Sequence, residues 1–521
     1  MIFKSPYPDI AIPEVPLTDF IFERAPQFSA KPALIDGVTG QTLTYGELVA
    51  AVERVAAGLA AHGFRKGDIC AIHCLNCPEY AIAFLAAAKA GGVCTMASPL
   101  FTESELTTQL KDSGANYLLT DARLGTTGLA AARAAGVREV FVLGEAAGAI
   151  PFSALLDQNG AGSQVEIDPR GDLVALPYSS GTTGWPKGVM LTHYNLVAML
   201  CLMEATDVLS SNDTTICAVP CYHLYGSHIV MNLGLRTGAT IVTLPKYDLE
   251  TFLRTMQDYA ITVAPAVPPI VLELSRSPLV DRFDLSHLKT VFSGAAPLSI
   301  EVAKVCCERL NVRINYGYGM TELSPLSHLT YRHAEGDTPE STGYCLPNTL
   351  CKIVDAETKA ELPAGASGEV WVRGPQVMKG YLGHPEATAE IIDSEGWLHT
   401  GDIGYADKDG ALYIVDRLKE LIKYKGRQVA PAELEALLLS HPLISDAAVI
   451  PSPDADAGEI PVAFVVVKQS VSADDIMNFV RERVAPHKRI RRVEFVDQIP
   501  KNATGKILRR ELVERVRKTV R

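Results

Sequence analysis

Over its first 400 residues the chain alternates short apolar runs of strand character with runs of helical spacing, and no other feature restricts the fold as much. Runs at 68–73, 92–96 and 117–120 read as strands, with helices at 78–90 and 103–111 between them. The rhythm returns with strands at 215–219, 239–244, 261–265 and 289–292. Thr44-Tyr-Gly-Glu47 is a capping-box pattern; Leu48, Val52, Val55 and Leu59 follow at helical spacing, and Gly63 ends that helix. The apolar stretch 80–88 sits between Glu79 and Lys89 and reads as a buried helix. Strands that alternate with helices predict parallel sheets covered by helices, an α/β fold.

The last hundred residues read differently. Strands are expected at 411–415, 421–425, 447–450, 462–467 and 493–496, and helices at 431–440, 473–484 and 507–518, which describes a small α+β domain. A chain of 521 residues exceeds one ordinary core, so two domains are expected: 1–416, a large N-terminal domain of helix-covered sheets, and 417–521, a small mobile C-terminal α+β domain. The border falls in Asp416-Arg-Leu-Lys-Glu420, which has no Gly/Ser linker and suits a short hinge better than a tether.

Charge narrows the function. The net charge is −12, which argues against a general nucleic-acid binder. From 487 to 521 there are twelve Lys/Arg against four Asp/Glu, so this tail carries about +8. It is either a solvated helical face or a surface that meets a polyanion. The first 16 residues hold Asp9, Glu14 and four prolines and form no signal sequence, and no apolar run is long enough to span a membrane. The 11 cysteines are odd in number, unevenly spread and absent after Cys351, so buried thiols in a reducing cytoplasm are expected. Cys74-Leu-Asn-Cys77 has metal-like spacing, but no second pair follows at a suitable distance in the sequence.

The strongest local signal is Tyr178-Ser-Ser-Gly-Thr-Thr-Gly-Trp-Pro-Lys-Gly188, which follows a strand-like run at 173–177. Its glycines and hydroxyls make a donor-rich loop that can wrap phosphate oxygens. It is not the P-loop of nucleotide hydrolases, because Lys187 stands between Pro186 and Gly188 instead of before Ser or Thr. The string resembles the signature of the adenylate-forming superfamily of acyl-CoA synthetases, luciferases and adenylation domains. Further strings resemble that family's later motifs in order: Asn315-Tyr-Gly-Tyr-Gly-Met-Thr-Glu322, Trp397-Leu-His-Thr-Gly-Asp402, Asp416-Arg-Leu-Lys-Glu-Leu-Ile-Lys-Tyr-Lys-Gly426 and Pro500-Lys-Asn-Ala-Thr-Gly-Lys506. Within the superfamily, Ile2-Phe-Lys-Ser, Ser293-Gly-Ala-Ala-Pro-Leu298 and Gln428-Val-Ala-Pro-Ala-Glu-Leu-Glu435 resemble 4-coumarate–CoA ligases.

The resemblance implies an ATP-dependent acid–CoA ligase that uses ATP, Mg²⁺ and coenzyme A. Its nucleotide site would comprise Ser179, Ser180, Gly181, Thr182, Thr183, Gly184, Lys187, Ala295, Tyr316, Gly317, Tyr318, Gly319, Met320, Thr321, Asp402, Arg417, Lys423, Gln428 and Lys506. Lys506, His223, Thr321 and Lys187 would take part in catalysis, Glu322 would hold the metal, and Lys425 and Gly426 would meet CoA. Lys419 matches the hinge position about which the lid of relatives turns. The acyl pocket would be lined by Tyr225, His228, Ile229, Phe292, Ala295, Gly319, Pro325 and Leu326. Plant coumarate ligases often carry asparagine and serine where His228 and Ile229 stand, so unless His228 replaces the lost contact a phenol is expected to be recognised less well here than a less oxygenated aryl acid. His223 weighs against an amino-acid adenylation domain, which usually offers Asp in that segment. The rival readings are a medium-chain fatty acyl–CoA ligase, a luciferase-like oxidase and a non-catalytic nucleotide binder. The expected partners are a small carboxylic acid and CoA, with an external carrier protein left open as acceptor.

Overall fold

The computed structural model describes residues 1–157, 165–179, 186–330, 341–425, 427–454, 456–502 and 505–519. Two nine-stranded sheets carry most of the chain. In the first, Ile69–His73 lies between Val93–Met96 and Tyr117–Asp121, with Glu139–Leu143 beyond, all parallel. In the second, Thr214–Cys217 lies between Thr240–Thr243 and Val263–Ala266, followed by Thr290–Ser293 and Arg313–Tyr318, again parallel. Parallel neighbours need crossover helices, and short polar motifs start them. Thr44 and Thr102 each accept a hydrogen bond from the N–H of Glu47 or Glu105, whose carboxylates bind back; Thr192 and Asn195 repeat the device.

Helix Pro78–Lys89 is buried on every face from Tyr80 to Ala88. It packs against Ile69–His73 and Val93–Met96 of the first sheet and against Pro32–Asp36 of the second. A helix with no polar face can only sit between layers, and the alanines let the backbones approach.

The parallel strands of the second sheet end at one edge. From it emerge the segments after Cys217, Ala266, Ser293 and Tyr318, which contain His223, Ala295 and Glu322. The crevice beyond the carboxyl ends of parallel strands is where α/β sheets hold ligands.

A third, antiparallel sheet runs in the order Ile2–Lys4, Leu350–Val354, Gly368–Arg373, Leu398–Ala406, Leu412–Arg417. It corrects one reading: the strand expected at 411–415 is the edge of this sheet and not part of the C-terminal unit. Leu412 packs with Cys351, Val370 and Leu398, so its apolar partners lie upstream.

The C-terminal unit is built on Arg427–Val429, Ile422–Tyr424, Gly458–Val467 and Ile444–Asp454, with Arg492–Phe495 parallel to Gly458–Val467. Its strands alternate with period two. Ala447 and Val449 face Leu434, Leu438, Ile476 and Val480 of two helices, whereas Ala448 and Ile450 face Leu512 and Val516 of the last helix. The basic tail is partly compensated within this unit. Lys488 pairs with Glu433 at 2.6 Å, Lys501 with Asp446 at 2.7 Å, Arg492 with Glu494 at 3.2 Å and Arg510 with Glu514 at 3.2 Å, while Arg509 binds both Glu420 and Glu435. All 11 cysteines are free thiols.

Candidate active site

The site begins with two strand registers. Strand Leu398–Ala406 pairs with Leu412–Arg417 so that Asp402 stands opposite Arg417. Two of the sequence motifs thereby become neighbours through backbone pairing alone. The Arg417 Nε lies 3.2 Å from Asp402 Oδ1, and the Tyr318 hydroxyl donates to Asp402 Oδ2 at 2.8 Å. Asp402 is buried; burial raises its pKa above the usual carboxylate range, and Arg417 opposes that rise. Burial also pushes the Tyr318 hydroxyl well up, so it remains a donor.

The second register pairs Ser179 with Lys187 and Val189 with Tyr381. It carries Ser179 and Tyr381 to the end of Arg313–Tyr318. There Ser179 Oγ and the Tyr381 hydroxyl both donate to Glu322 Oε1, at 2.8 and 2.7 Å. Glu322 is 3% exposed. Among the described residues no hydrogen bond is made to its Oε2, which leaves one oxygen of a buried carboxylate for a cation. Mg²⁺ typically takes one or two carboxylates and fills its remaining positions with phosphate oxygens and water, so this donor fits it. Lys187 Nζ lies 5.3 Å from the centre of the Tyr381 ring.

Gly319 explains itself by distance. A Cβ there would come within 2.0 Å of the Pro325 carbonyl oxygen, so only glycine lets the chain turn beside Met320 and Thr321, the latter opening the short helix Thr321–Leu323. Gly317 is likewise packed against Leu326 and Phe292. Tyr316 donates its hydroxyl to the Ala296 carbonyl at 2.9 Å, which lays its ring under the turn containing Ala295, a residue with φ +72°.

The acyl side is different in kind. Tyr225 donates its hydroxyl to the Phe292 carbonyl and accepts from the Ala266 N–H at 3.2 Å, and its ring centre lies 5.8 Å from that of Phe292. His228 Nε2 faces the Leu196 carbonyl at 3.0 Å and Nδ1 faces Asn232 Nδ2 at 3.1 Å. A carbonyl only accepts and an amide NH₂ only donates, so His228 is the neutral Nε2–H tautomer with both nitrogens occupied. Burial lowers its pKa to about 3. Ile229, Phe292 and Leu326 are buried; Pro325 is half-buried. The His223 ring centre lies 4.5 Å from that of Tyr222. Desolvation lowers its pKa to about 4, so it is neutral near pH 7.

The lysine loop arrives from the C-terminal unit. The Lys506 N–H donates to Asn502 Oδ1 at 2.9 Å, the Asn502 N–H donates to the Lys506 carbonyl at 2.9 Å, and Gly505 turns at φ +79° against Pro269. Lys506 thereby enters the field of Asp402 and Arg417; burial and then Arg417 hold its pKa below that of an ordinary lysine. Lys419 is exposed in the turn after Arg417, and burial and Lys187 lower its pKa. Lys425, at φ +47°, and Lys423 are exposed on the neighbouring hairpin. Ser180, Gly181, Thr182, Thr183, Gly184 and Gly426 lie outside the described residues, as does the side chain of Gln428.

Two contributors escaped the sequence reading. Tyr381 touches Glu322 across 59 positions, and no spacing announces it. Asn232, one helical turn beyond His228, sets that ring's tautomer; a polar residue in an apolar helical run was its only signal.

A buried carboxylate that suits a cation, a second carboxylate held by Tyr and Arg, and a lysine delivered by a separate unit are what an adenylate-forming enzyme requires. The chain belongs to the AMP-binding enzyme family, whose main domain matches residues 21–382 and whose C-terminal domain matches 433–506. It is 46% identical over 524 residues to a 4-coumarate–CoA ligase of Nicotiana tabacum, covering 98% of this chain and 96% of the relative. The structure of ATP-bound MatB from Rhodopseudomonas palustris is similar at a TM-score of 0.89 and 29% identity, covering 98% of this chain and 100% of its own. Apo MatB covers the same shares at 29% identity with a TM-score of 0.78. The fold is thus a large N-terminal α/β domain followed by a smaller C-terminal domain.

Proposed function

We propose that the protein is an ATP-dependent acid–CoA ligase that converts an aryl carboxylic acid of the cinnamic type into an acyl-adenylate and then into its CoA thioester. The observation that carries this reading is the pairing of Asp402 with Arg417 across neighbouring strands, with Lys506 of the C-terminal unit brought within their electrostatic reach. Adenylation brings a carboxylate against the α-phosphate of ATP, so two anions must be neutralised and aligned. Lys506 supplies a cation between them. Asp402 accepts the ribose hydroxyls, with Arg417 and Tyr318 holding it. Thr321 and Lys187 bind phosphate oxygens, and Tyr316 and Ala295 bound the adenine. Mg²⁺, held through Glu322, neutralises phosphate charge when bound. As the substrate carboxylate oxygen bonds to the α-phosphorus, the bond from that phosphorus to the β-phosphate oxygen breaks and pyrophosphate leaves.

Thioester formation needs the place of Lys506 vacated for a thiol. The division into 1–416 and 417–521, with Lys419 as hinge, serves that exchange, and Lys425 and Gly426 then meet CoA on the other face of the lid. The greater likeness to ATP-bound than to apo MatB supports an arrangement on the adenylation side of this cycle.

The choice of acid rests on the pocket. Tyr225 and His228 have their hydrogen bonds satisfied by the protein, and Ile229 offers none. A ring without a para-hydroxyl is therefore favoured over 4-coumarate, although the relatives are coumarate ligases by name. Free thiols throughout are what a reducing cytoplasm maintains, and no helix among the described residues is long and apolar enough to cross a membrane. Pyrophosphate release across cinnamic, coumaric, benzoic, phenylacetic and octanoic acids tests the reading; turnover of octanoate above all aryl acids would replace it with a fatty acyl ligase.

A further inference from the structure

Lys506 must reach the reacting phosphate from a unit that turns, so something must relate the lysine loop to the hinge. The side chain that does so is Arg509, three residues after Lys506 and at the start of helix Arg509–Thr519. Its Nε lies 2.7 Å from Glu420 Oε2, and its two terminal nitrogens lie 2.6 and 3.0 Å from the two oxygens of Glu435. All three side chains are largely buried, at 15%, 27% and 11% exposed. Glu435 is fixed in turn by the Val449 N–H at 2.7 Å, on strand Ile444–Asp454 at the edge of the C-terminal sheet. Glu420 belongs to the turn that follows Arg417, where its own N–H donates to the Arg417 carbonyl at 2.9 Å. The guanidinium fork therefore spans from the sheet of the lid to the hinge turn, directly behind the lysine loop.

We propose that Glu420 and Arg509 are positioning residues for Lys506, bracing the lysine loop against the turn that opens the lid just after the hinge residue, so that the ammonium is held in the direction of the α-phosphate when the lid is in its adenylation setting. This rests on the role given to Lys506 above. An arginine suits the task because its planar fork fixes direction as well as charge, which a lysine cannot do. The loop has a second anchor in Lys501, paired with Asp446 at 2.7 Å, but that anchor fixes the loop to the lid sheet and does not reach the turn beside the hinge residue. The charged groups acting on the Lys506 ammonium are Arg417 and Arg509, which oppose its protonation, and Glu420 and Asp402, which favour it. Glu420 thus both orients the loop and helps to keep the lysine charged.

The test separates position from charge in the full-length protein, with cinnamate, ATP and Mg²⁺ as probes. Glu420→Gln keeps shape and removes charge. It should lower the turnover of pyrophosphate–ATP exchange about tenfold or more while KM for ATP stays within about threefold, because a small misplacement of a catalytic group costs rate rather than ground-state binding. The alkaline fall of that activity should move to lower pH, since the lysine loses an acidic neighbour. Thioester formation from synthetic acyl-adenylate should stay within about threefold. Arg509→Lys keeps charge and loses the fork; exchange should fall while the alkaline limb stays in place. Wild-type exchange with an unmoved limb in Glu420→Gln overturns the proposal. So does an equal loss of both half-reactions with an unmoved limb, which marks a merely structural pair. Lys506→Ala, run alongside, tells the two levels apart. Retained exchange there overturns the reading of Lys506 and this proposal with it; collapsed exchange there, beside a wild-type Glu420→Gln, overturns this proposal alone.

Discussion

At the nucleotide end of the site polar side chains point inward; at the acyl end they are turned away. Ser179 and Tyr381 converge on Glu322, whose second oxygen takes no hydrogen bond from the described residues, and Tyr318 and Arg417 converge on Asp402. Tyr225 and His228 also carry hydrogen-bonding groups, but theirs bind the backbone and Asn232. The difference follows from what each end must do. Phosphoryl chemistry needs charge placed in advance, because reorganising dipoles during the reaction raises the barrier. An aryl ring needs an apolar slot, and any unmet donor in that slot would penalise a substrate without a hydroxyl. On the proposed assignment of the two ends, selectivity at the acyl end is set by removing polar offers, whereas rate at the nucleotide end is set by adding them.

The contrast can be broken most forcefully at the lysine. Lys506→Ala should reduce pyrophosphate–ATP exchange by about two to three orders of magnitude, the scale for losing one preorganised charge stabiliser, with supplied acyl-adenylate still converted to thioester. Equal damage to both half-reactions in a folded variant would show that Lys506 does not belong to one end alone.

Lys419→Pro should act in the opposite sense. Proline fixes φ and removes the N–H, so the turn after Arg417 should resist rotation. Exchange should persist within a few-fold while overall thioester production falls by about a hundredfold. A variant that makes thioester at the wild-type rate would remove the hinge from this position.

Glu322→Gln tests whether the inward-pointing carboxylate holds a cation. The amide keeps the size but loses the charge, so the Mg²⁺ concentration for half-maximal exchange should rise by about tenfold or more, with turnover reduced. Tyr381→Phe removes one donor to the same carboxylate and should cost about tenfold to a hundredfold, in keeping with one hydrogen bond to a charged group. An unchanged magnesium requirement in Glu322→Gln would strike the residue from the site.

The smallest effect is expected at the acyl end and sharpens the contrast. Wild-type kcat/KM for cinnamate should equal or exceed that for 4-coumarate. Ile229→Ser restores a polar offer and should shift the ratio toward coumarate by about tenfold or less, the worth of one pocket hydrogen bond. A strong wild-type preference for coumarate that the substitution leaves untouched would mean that the phenol is read elsewhere.

The sequence by itself determined what is local. Capping threonines, period-two strands such as 447–450 and the apolar run in Pro78–Lys89 act through neighbours three or four positions away, so helices, strands and the α/β class were legible, as were the motif strings with their charges. Only the tertiary structure decided which of those pieces meet. The strand at Leu412–Arg417 joins the third sheet rather than the lid because its apolar partners, Cys351, Val370 and Leu398, lie upstream, and that same pairing sets Arg417 opposite Asp402. Tyr381 reaches Glu322 because its short strand pairs with Lys187–Thr192, and Glu420 reaches Arg509 across 89 positions because the last helix packs on the lid sheet. The tautomer of His228 depends on a carbonyl 32 positions upstream. Residue type declares which bonds a side chain can make, but only packing, summed over many distant contacts, selects the partner that it binds.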